Sequence, residues 1–208
     1  PFADHLLKMI NGERSISLYQ ALTAIDAAAG DSRIKGIYLN TNGGGSVSMA
    51  GLEELREAIG KFKQSGKFVV AYNEAYGQGG YYLASVADRI YLEPNGGLMW
   101  YGLSWNTMFY KGLLDKLGVK AEVFRPTACK YKSAVEPFIL DRMSDANRRQ
   151  MQQVVNSLWE TINRSVSESR GIAVGELNRI ADALEVTLPE EALHRGFVDS
   201  LVYEDYMQ

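Results

Sequence analysis

An alternation constrains this chain more than any other feature. Short apolar runs, IKGIYLN at 34–40, FVVAY at 68–72 and RIYL at 89–92, are separated by segments whose apolar residues recur at helical spacing. The segment 17–29 carries Leu18, Leu22 and Ile25 at that spacing, with Gly30 as a stop. In 49–65, Leu52, Leu55, Ile59 and Phe62 fall on one face. Gln78-Gly79-Gly80 opens a further helix over 81–87. Residues 106–117 read as another helix and 120–124 as a fourth strand. Strands alternating with helices argue for crossover units and a mostly parallel sheet, so the expected fold class is α/β.

From residue 144 the character changes. The segment 144–170 opens on Ser144, a residue type suited to capping, and keeps a helical period through Met151, Val155, Leu158 and Ile162. Residues 175–183 predict another helix. Leu188-Pro189-Glu190-Glu191 starts a short one, with proline in the first turn, and 197–202 reads as a returning strand. No repeat or low-complexity tract interrupts the chain. The expectation is one α/β domain over 1–208, with a mainly helical section from 144 to 208.

Composition removes several classes of function. Hydrophobic residues make up 46% and charged residues 23% of the 208, the proportions of an ordinary globular chain rather than a disordered one. A net charge of -3 gives no basic footprint for nucleic acid. No apolar stretch is long enough to span a bilayer, and no secretory signal opens the sequence. Because Pro1 stands where a start methionine would, the chain reads as a piece of something longer, with an anchor outside it. Cys129 is the single cysteine, which rules out an internal disulfide and a cysteine-cluster metal site. His5 and His194 are the two histidines and leave little for a histidine site; no metal or cofactor is expected.

Ligands in open α/β sheets sit beyond the carboxyl ends of strands. Two glycine turns fall there. Thr41-Asn42-Gly43-Gly44-Gly45 is either a tight connection or a place where backbone N–H groups converge on an oxyanion. Gly77-Gln78-Gly79-Gly80 stands at a helix start, yet Gln78 is an amide and can act as neither nucleophile nor base. Ser85 lies deeper in that helix. No phosphate-binding or dinucleotide fingerprint is present. With no serine motif beside them, the histidines do not make a triad. The phrase ACKYKSAVEPF, from Ala128 to Phe138, sets Lys130 and Lys132 among small and apolar residues. Most lysines are solvated. A buried amine loses its charged form more readily and can then take a proton from a serine hydroxyl.

The run Tyr131-Lys132-Ser133-Ala134-Val135-Glu136-Pro137-Phe138 resembles the lysine motif of the signal peptide peptidase A family, in its long two-domain bacterial form. Arg33-Ile34-Lys35-Gly36-Ile37 resembles that family's strand before the oxyanion turn. Gln78-Gly79-Gly80-Tyr81-Tyr82-Leu83-Ala84-Ser85 is similar to its helix at the nucleophile position. The segments 110–119 and 192–199 fit its pattern as well, so the likeness covers most of the chain in order. The resemblance implies a ClpP/crotonase-like βαβ spiral, with Lys132 as general base of a Ser/Lys dyad. It implies a nucleophilic serine supplied by a second peptidase domain, because the nucleophile position here is Gln78. Gly43, Gly44, Gly79 and Gly80 become oxyanion or substrate-binding candidates. The oxyanion turn departs from the catalytic half's serine-proline-glycine-glycine pattern by lacking the proline.

The resemblance further implies remnant signal peptides as substrate and a homo-oligomer, a tetramer of full-length chains. It places the whole protein on the extracytoplasmic face of the bacterial inner membrane, anchored through a segment outside this chain. The fragment alone is expected to be inactive. Lys130, two residues from Lys132, is expected on the same strand face, as a charged influence or a solvated neighbour. Met99, Trp100 and Tyr101, in 96–104, would line a groove for an extended peptide or pack in a core. Two other readings stand beside this one. One is a noncatalytic oligomerisation scaffold of the same fold. The other is a crotonase-like acyl-CoA enzyme, for which Glu53 and Glu74 are the available carboxylates.

Overall fold

A computed structural model describes residues 16–42, 47–124, 129 and 131–207. The chain divides into two compact units, 1–102 with 162–208, and 103–161.

In the first unit the helix α1 (Leu18–Gly30) starts at a reciprocal cap. The Ser17 hydroxyl accepts from the Gln20 N–H at 3.2 Å, and the Gln20 side chain accepts from the Ser17 N–H at 2.8 Å. Strand β1 (Gly36–Asn40) leads to α2 (Met49–Gln64), capped by Ser48, with Ile59 and Phe62 buried. Strand β2 (Phe68–Tyr76) is followed at once by α3 (Gln78–Ala84), and then by β3 (Arg89–Leu98). The two-residue strand β4 (Ser200–Leu201) completes a parallel sheet in the order β1-β2-β3-β4. The alternation therefore gives the α/β class and the parallel sheet that it predicts.

Strand β2 and strand β3 both run further than their apolar cores. Their register steps from Asn73 opposite Leu92 to Ala75 opposite Gly97, so four residues of β3 bulge against one of β2. Pro94 sits in that bulge, where its missing N–H removes no ladder bond. Gly96 is required there: a Cβ on it would lie 1.7 Å from the Glu74 carbonyl oxygen. The bulge carries the chain on to Met99, whose N–H bonds the Tyr76 carbonyl at 2.8 Å.

The core of this unit is aromatic. Tyr81 meets Tyr76 and Trp100 edge-on, each with centroids 5.9 Å apart, and Phe197 lies 5.4 Å from both Tyr81 and Trp100. Their polar tips are satisfied: Tyr81 Oη donates to the Phe197 carbonyl at 2.7 Å and Trp100 Nε1 to the Leu177 carbonyl at 2.9 Å. Burial pushes the Tyr81 phenol far above its ordinary range. Strand β4 is fixed by Asp199, which accepts from the Ile90 N–H at 2.7 Å and pairs with Arg170 at 3.1 Å. Burial works to raise the Asp199 pKa, but the Arg170 and Ile90 hydrogen bonds outweigh it and hold the carboxyl below its ordinary value.

The long helix α6 (Asp145–Arg170) runs across the boundary at residue 162 and ends at Gly171, which adopts φ +70°. Its expected period and its Ser144 start are both present. Helices α7 (Val174–Asp182) and α8 (Pro189–His194) follow, the latter with its proline in the first turn as expected.

The second unit holds α4 (Lys111–Lys116), α5 (Glu136–Ile139) and the first part of α6. Two expectations fail here. The helix read over 106–117 shrinks to α4; Asn106, Thr107, Phe109 and Tyr110 are weak helix formers, and no side chain caps them into a longer one. The strand read over 120–124 does not form. Its burial alternates, but among the described residues no strand lies beside it to accept a ladder, and the sheet's fourth place is taken by β4. Among the described residues of 103–161, only Glu136 and Asn147 are fully buried.

Candidate functional site

At the carboxyl ends of β1 and β2 the sheet meets the first turn of α3. A cavity of about 440 Å³ opens there, walled by Leu39, Leu52, Leu55 and Leu83, with Gly79 and Gly80 on the α3 side. A Cβ on Gly79 would stand 3.2 Å from Leu52 Cδ1. One on Gly80 would stand 3.4 Å from Thr41 Oγ1. These two glycines thus let α3 approach its neighbours closely. The strand ends are stitched by amides. Asn73 Nδ2 donates to Thr41 Oγ1, and Asn73 Oδ1 accepts from the Ala75 N–H at 2.8 Å. Asn42 Oδ1 accepts from the Glu74 N–H at 3.1 Å. Gly43 and Gly44, the oxyanion candidates of the first turn, lie outside the described residues.

Gln78 is the first residue of α3, and its side chain points along the chain segment that leaves β3. Its Oε1 accepts from the Tyr101 N–H at 2.9 Å and the Gly102 N–H at 2.7 Å. Its Nε2 donates to the Gly102 carbonyl at 2.6 Å. The amide satisfies main-chain groups on both of its polar atoms, and Gly102 takes φ +84° to present them. Gln78 is therefore a structural clamp.

Behind it, α3 is tied to α2 and to the last turns of α6 by one cation. Arg56 donates to the Tyr82 carbonyl, to Ser85 Oγ at 2.7 Å and to the Ser165 carbonyl at 2.9 Å, and lies 5.0 Å over the Tyr82 ring. Burial lowers the pKa of this guanidinium from its ordinary value. Ser85 is buried and donates to the Tyr82 carbonyl of its own helix at 2.9 Å.

Trp100 is core, whereas Met99 and Tyr101 on either side of it are about half exposed. A period-two chain explains the split: the middle residue points inward and its neighbours outward. The groove expectation for Trp100 is thereby corrected. His194 is exposed at the end of α8, and Glu53 and Glu74 are exposed on α2 and β2; His5 lies outside the described residues.

Lys132 belongs to the second unit. It is exposed and lies in an irregular loop, not on a strand, which overturns the shared strand face; Lys130 lies outside the described residues. The loop is built of turns that no hydrophobic period signals: Lys132 N–H bonds the Cys129 carbonyl at 3.0 Å and Glu136 N–H the Ser133 carbonyl at 2.9 Å. Cys129 is a partly exposed free thiol. The residue that sequence reading passed over is Glu136, fully buried inside the phrase that carries the lysine. Its signal was an acidic residue directly before a proline at a helix start.

Among the described residues no group of histidine, cysteine, aspartate and glutamate side chains could hold a metal ion. No described helix is long and apolar enough to cross a membrane. Comparison with known proteins gives a coherent result. The profile described as Peptidase family S49 matches residues 61–208. A protein named Protease 4 from Haemophilus influenzae is 41% identical over 169 residues, covering 80% of this chain and 27% of its own length. The chloroplastic serine protease SPPA of Arabidopsis thaliana is 31% identical over 98% of this chain and 29% of its own. A protein named putative signal peptide peptidase SppA from Enterococcus faecium is 24% identical over 88% of this chain and 52% of its own. The chain thus spans less than a third of the length of the first two relatives.

Proposed function

This chain belongs to peptidase family S49, and from that membership we propose that it is the lysine-bearing half of a Ser/Lys serine endopeptidase. In this reading Lys132 is the general base and the nucleophilic serine lies in a second domain. The serine hydroxyl gives its proton to Lys132 Nζ as its oxygen attacks the scissile carbonyl carbon. The amine then returns that proton to the leaving nitrogen, and water releases the acyl group. Substrates would be apolar peptides of the remnant signal-peptide kind. The complete protein would act at the extracytoplasmic face of the inner membrane, as a homo-oligomer anchored through a segment outside this chain.

The observation that carries the reading is Gln78. An amide occupies the nucleophile position and is committed on both polar atoms to Tyr101 and Gly102, so the chemistry at that place has to come from elsewhere. Two features support it. Lys132 is exposed here, so the apolar cover that a neutral amine requires has to be supplied by another surface. The unit that bears it also leaves Trp105, Met108, Leu113 and Leu117 more than half exposed, the kind of surface that an obligate interface covers.

The test is Lys132→Ala in the complete protein, assayed with a fluorogenic apolar peptide. Turnover is expected to fall by at least about 10³-fold. Near-normal turnover would remove the base and leave a scaffold of the same fold.

A further inference from the structure

The loop that carries Lys132 is fastened through a buried carboxylate, and we propose that Glu136 is a positioning residue for Lys132. The proposal rests on the reading of Lys132 as the base. Glu136 is 1% exposed. Among the described residues, donors on Ser144 and Asn147 converge on it: the Ser144 hydroxyl on Oε1 at 2.6 Å, the Ser144 N–H on Oε2 at 3.1 Å and Asn147 Nδ2 on Oε2 at 3.2 Å. This arrangement suits the acceptor-only, ionised carboxylate. It stands at the N-terminus of the 26-residue helix α6, where unpaired N–H groups and the helix dipole favour negative charge.

Ser144 is at the same time the cap of that helix. Its Oγ accepts from the Asn147 N–H at 3.2 Å, and its carbonyl from the Arg148 N–H at 2.8 Å. Carboxylate, cap and first turn therefore close on one another, and Asn147 is itself only 5% exposed. Between Lys132 and Glu136 the chain has little freedom. The turn from Ser133 to Glu136 is hydrogen-bonded at 2.9 Å, and α5 begins at Glu136 itself. A second fastening holds the far side: the Tyr110 N–H bonds the Pro137 carbonyl at 2.7 Å, and the Tyr110 and Phe138 rings stack at 5.9 Å.

An apolar side chain could fill the volume of Glu136 without any charge to desolvate. What it could not supply is direction. These hydrogen bonds to two residues of one helix turn fix where the loop ends and how it is rotated. A base needs that accuracy, because a displacement of about 1 Å at a reacting group costs about 10²-fold in rate.

The experiment uses the full-length assembled protein and a fluorogenic apolar peptide. Glu136→Gln is expected to lower kcat by roughly 10- to 100-fold with KM little changed, and to move the acid limb of the kcat–pH profile. Ser144→Ala, which keeps the carboxylate, should show the same pattern more weakly, and Ser144→Thr should restore it. The weaker serine variants provide the readout if Glu136→Gln fails to assemble. A fall in melting temperature, with kcat per folded active site and the acid limb both unchanged across these variants, would overturn the positioning role. If Lys132→Ala keeps its turnover, the base reading and this one fall together. If Lys132→Ala is inactive while Glu136→Gln and Ser144→Ala keep the native kcat and pH profile, only this one falls.

Discussion

Trp100 has no exposed surface, while Phe124, in the other compact unit, is 95% exposed. The contrast extends to their surroundings. In 1–102 with 162–208, the least exposed side chains are apolar and aromatic, and Tyr76, Tyr81, Trp100 and Phe197 touch as one cluster. In 103–161, the fully buried side chains among the described residues are Glu136 and Asn147, bonded to each other. The first unit is ordered by removing apolar area from water. The second is ordered by turns, a cap and a carboxylate, with its apolar side chains half-buried or, as at Trp105, Met108, Leu117 and Phe124, left facing solvent.

The largest effect that tests this contrast is a core truncation. Trp100→Ala in this chain is expected to cost about 3–5 kcal/mol in urea unfolding. Next comes the strand lock. Asp199→Asn should cost about 1.5–3 kcal/mol at neutral pH, the range of a hydrogen bond to a charged group. Because the Asp199 carboxyl is held below its ordinary pKa in the folded chain, its stabilisation is fully present above the unfolded value of about 4. It is lost as pH falls through the lower folded value, so native and Asp199→Asn curves should converge in acid. Smaller again is the clamp: Gln78→Ala should cost about 1–3 kcal/mol and speed hydrogen exchange at the Tyr101 and Gly102 amides in particular. Smallest is the exposed apolar surface. Phe124→Ser and Leu117→Ser should change the stability of this chain by no more than about 0.5 kcal/mol, and under the proposed assembly they should weaken self-association of the complete protein in sedimentation. Should Phe124→Ser prove as costly to this chain as Trp100→Ala, the contrast between the units would be wrong.

The same contrast explains what the sequence made legible. Where apolar burial orders the chain, periodicity reads it: α1, α2 and the cores of β2 and β3 fall within a few residues of their expected places. The extension of β3 past Leu92 escaped, because Glu93-Pro94-Asn95-Gly96 reads as a turn and only the Gly96 contact with Glu74 shows it to be a bulge. In 103–161, where burial does little, periodicity misled. The alternation in 120–124 has no sheet to join, and the lysine loop has no period at all. Lys132 was visible only through the likeness of its phrase, and Glu136, inside that phrase, was not weighed because a lone glutamate carries no pattern until its donors on Ser144 and Asn147 are seen.

The Gln78 clamp has an evolutionary consequence. A side chain that holds down the neighbouring main chain on both of its polar atoms cannot be exchanged for a hydroxyl in one neutral step. Gln78→Ser would release Tyr101 and Gly102 before it gained any chemistry. Any replacement of Gln78 has to find another way to hold these main-chain groups, so exchange at this position takes a two-step path through a less stable intermediate.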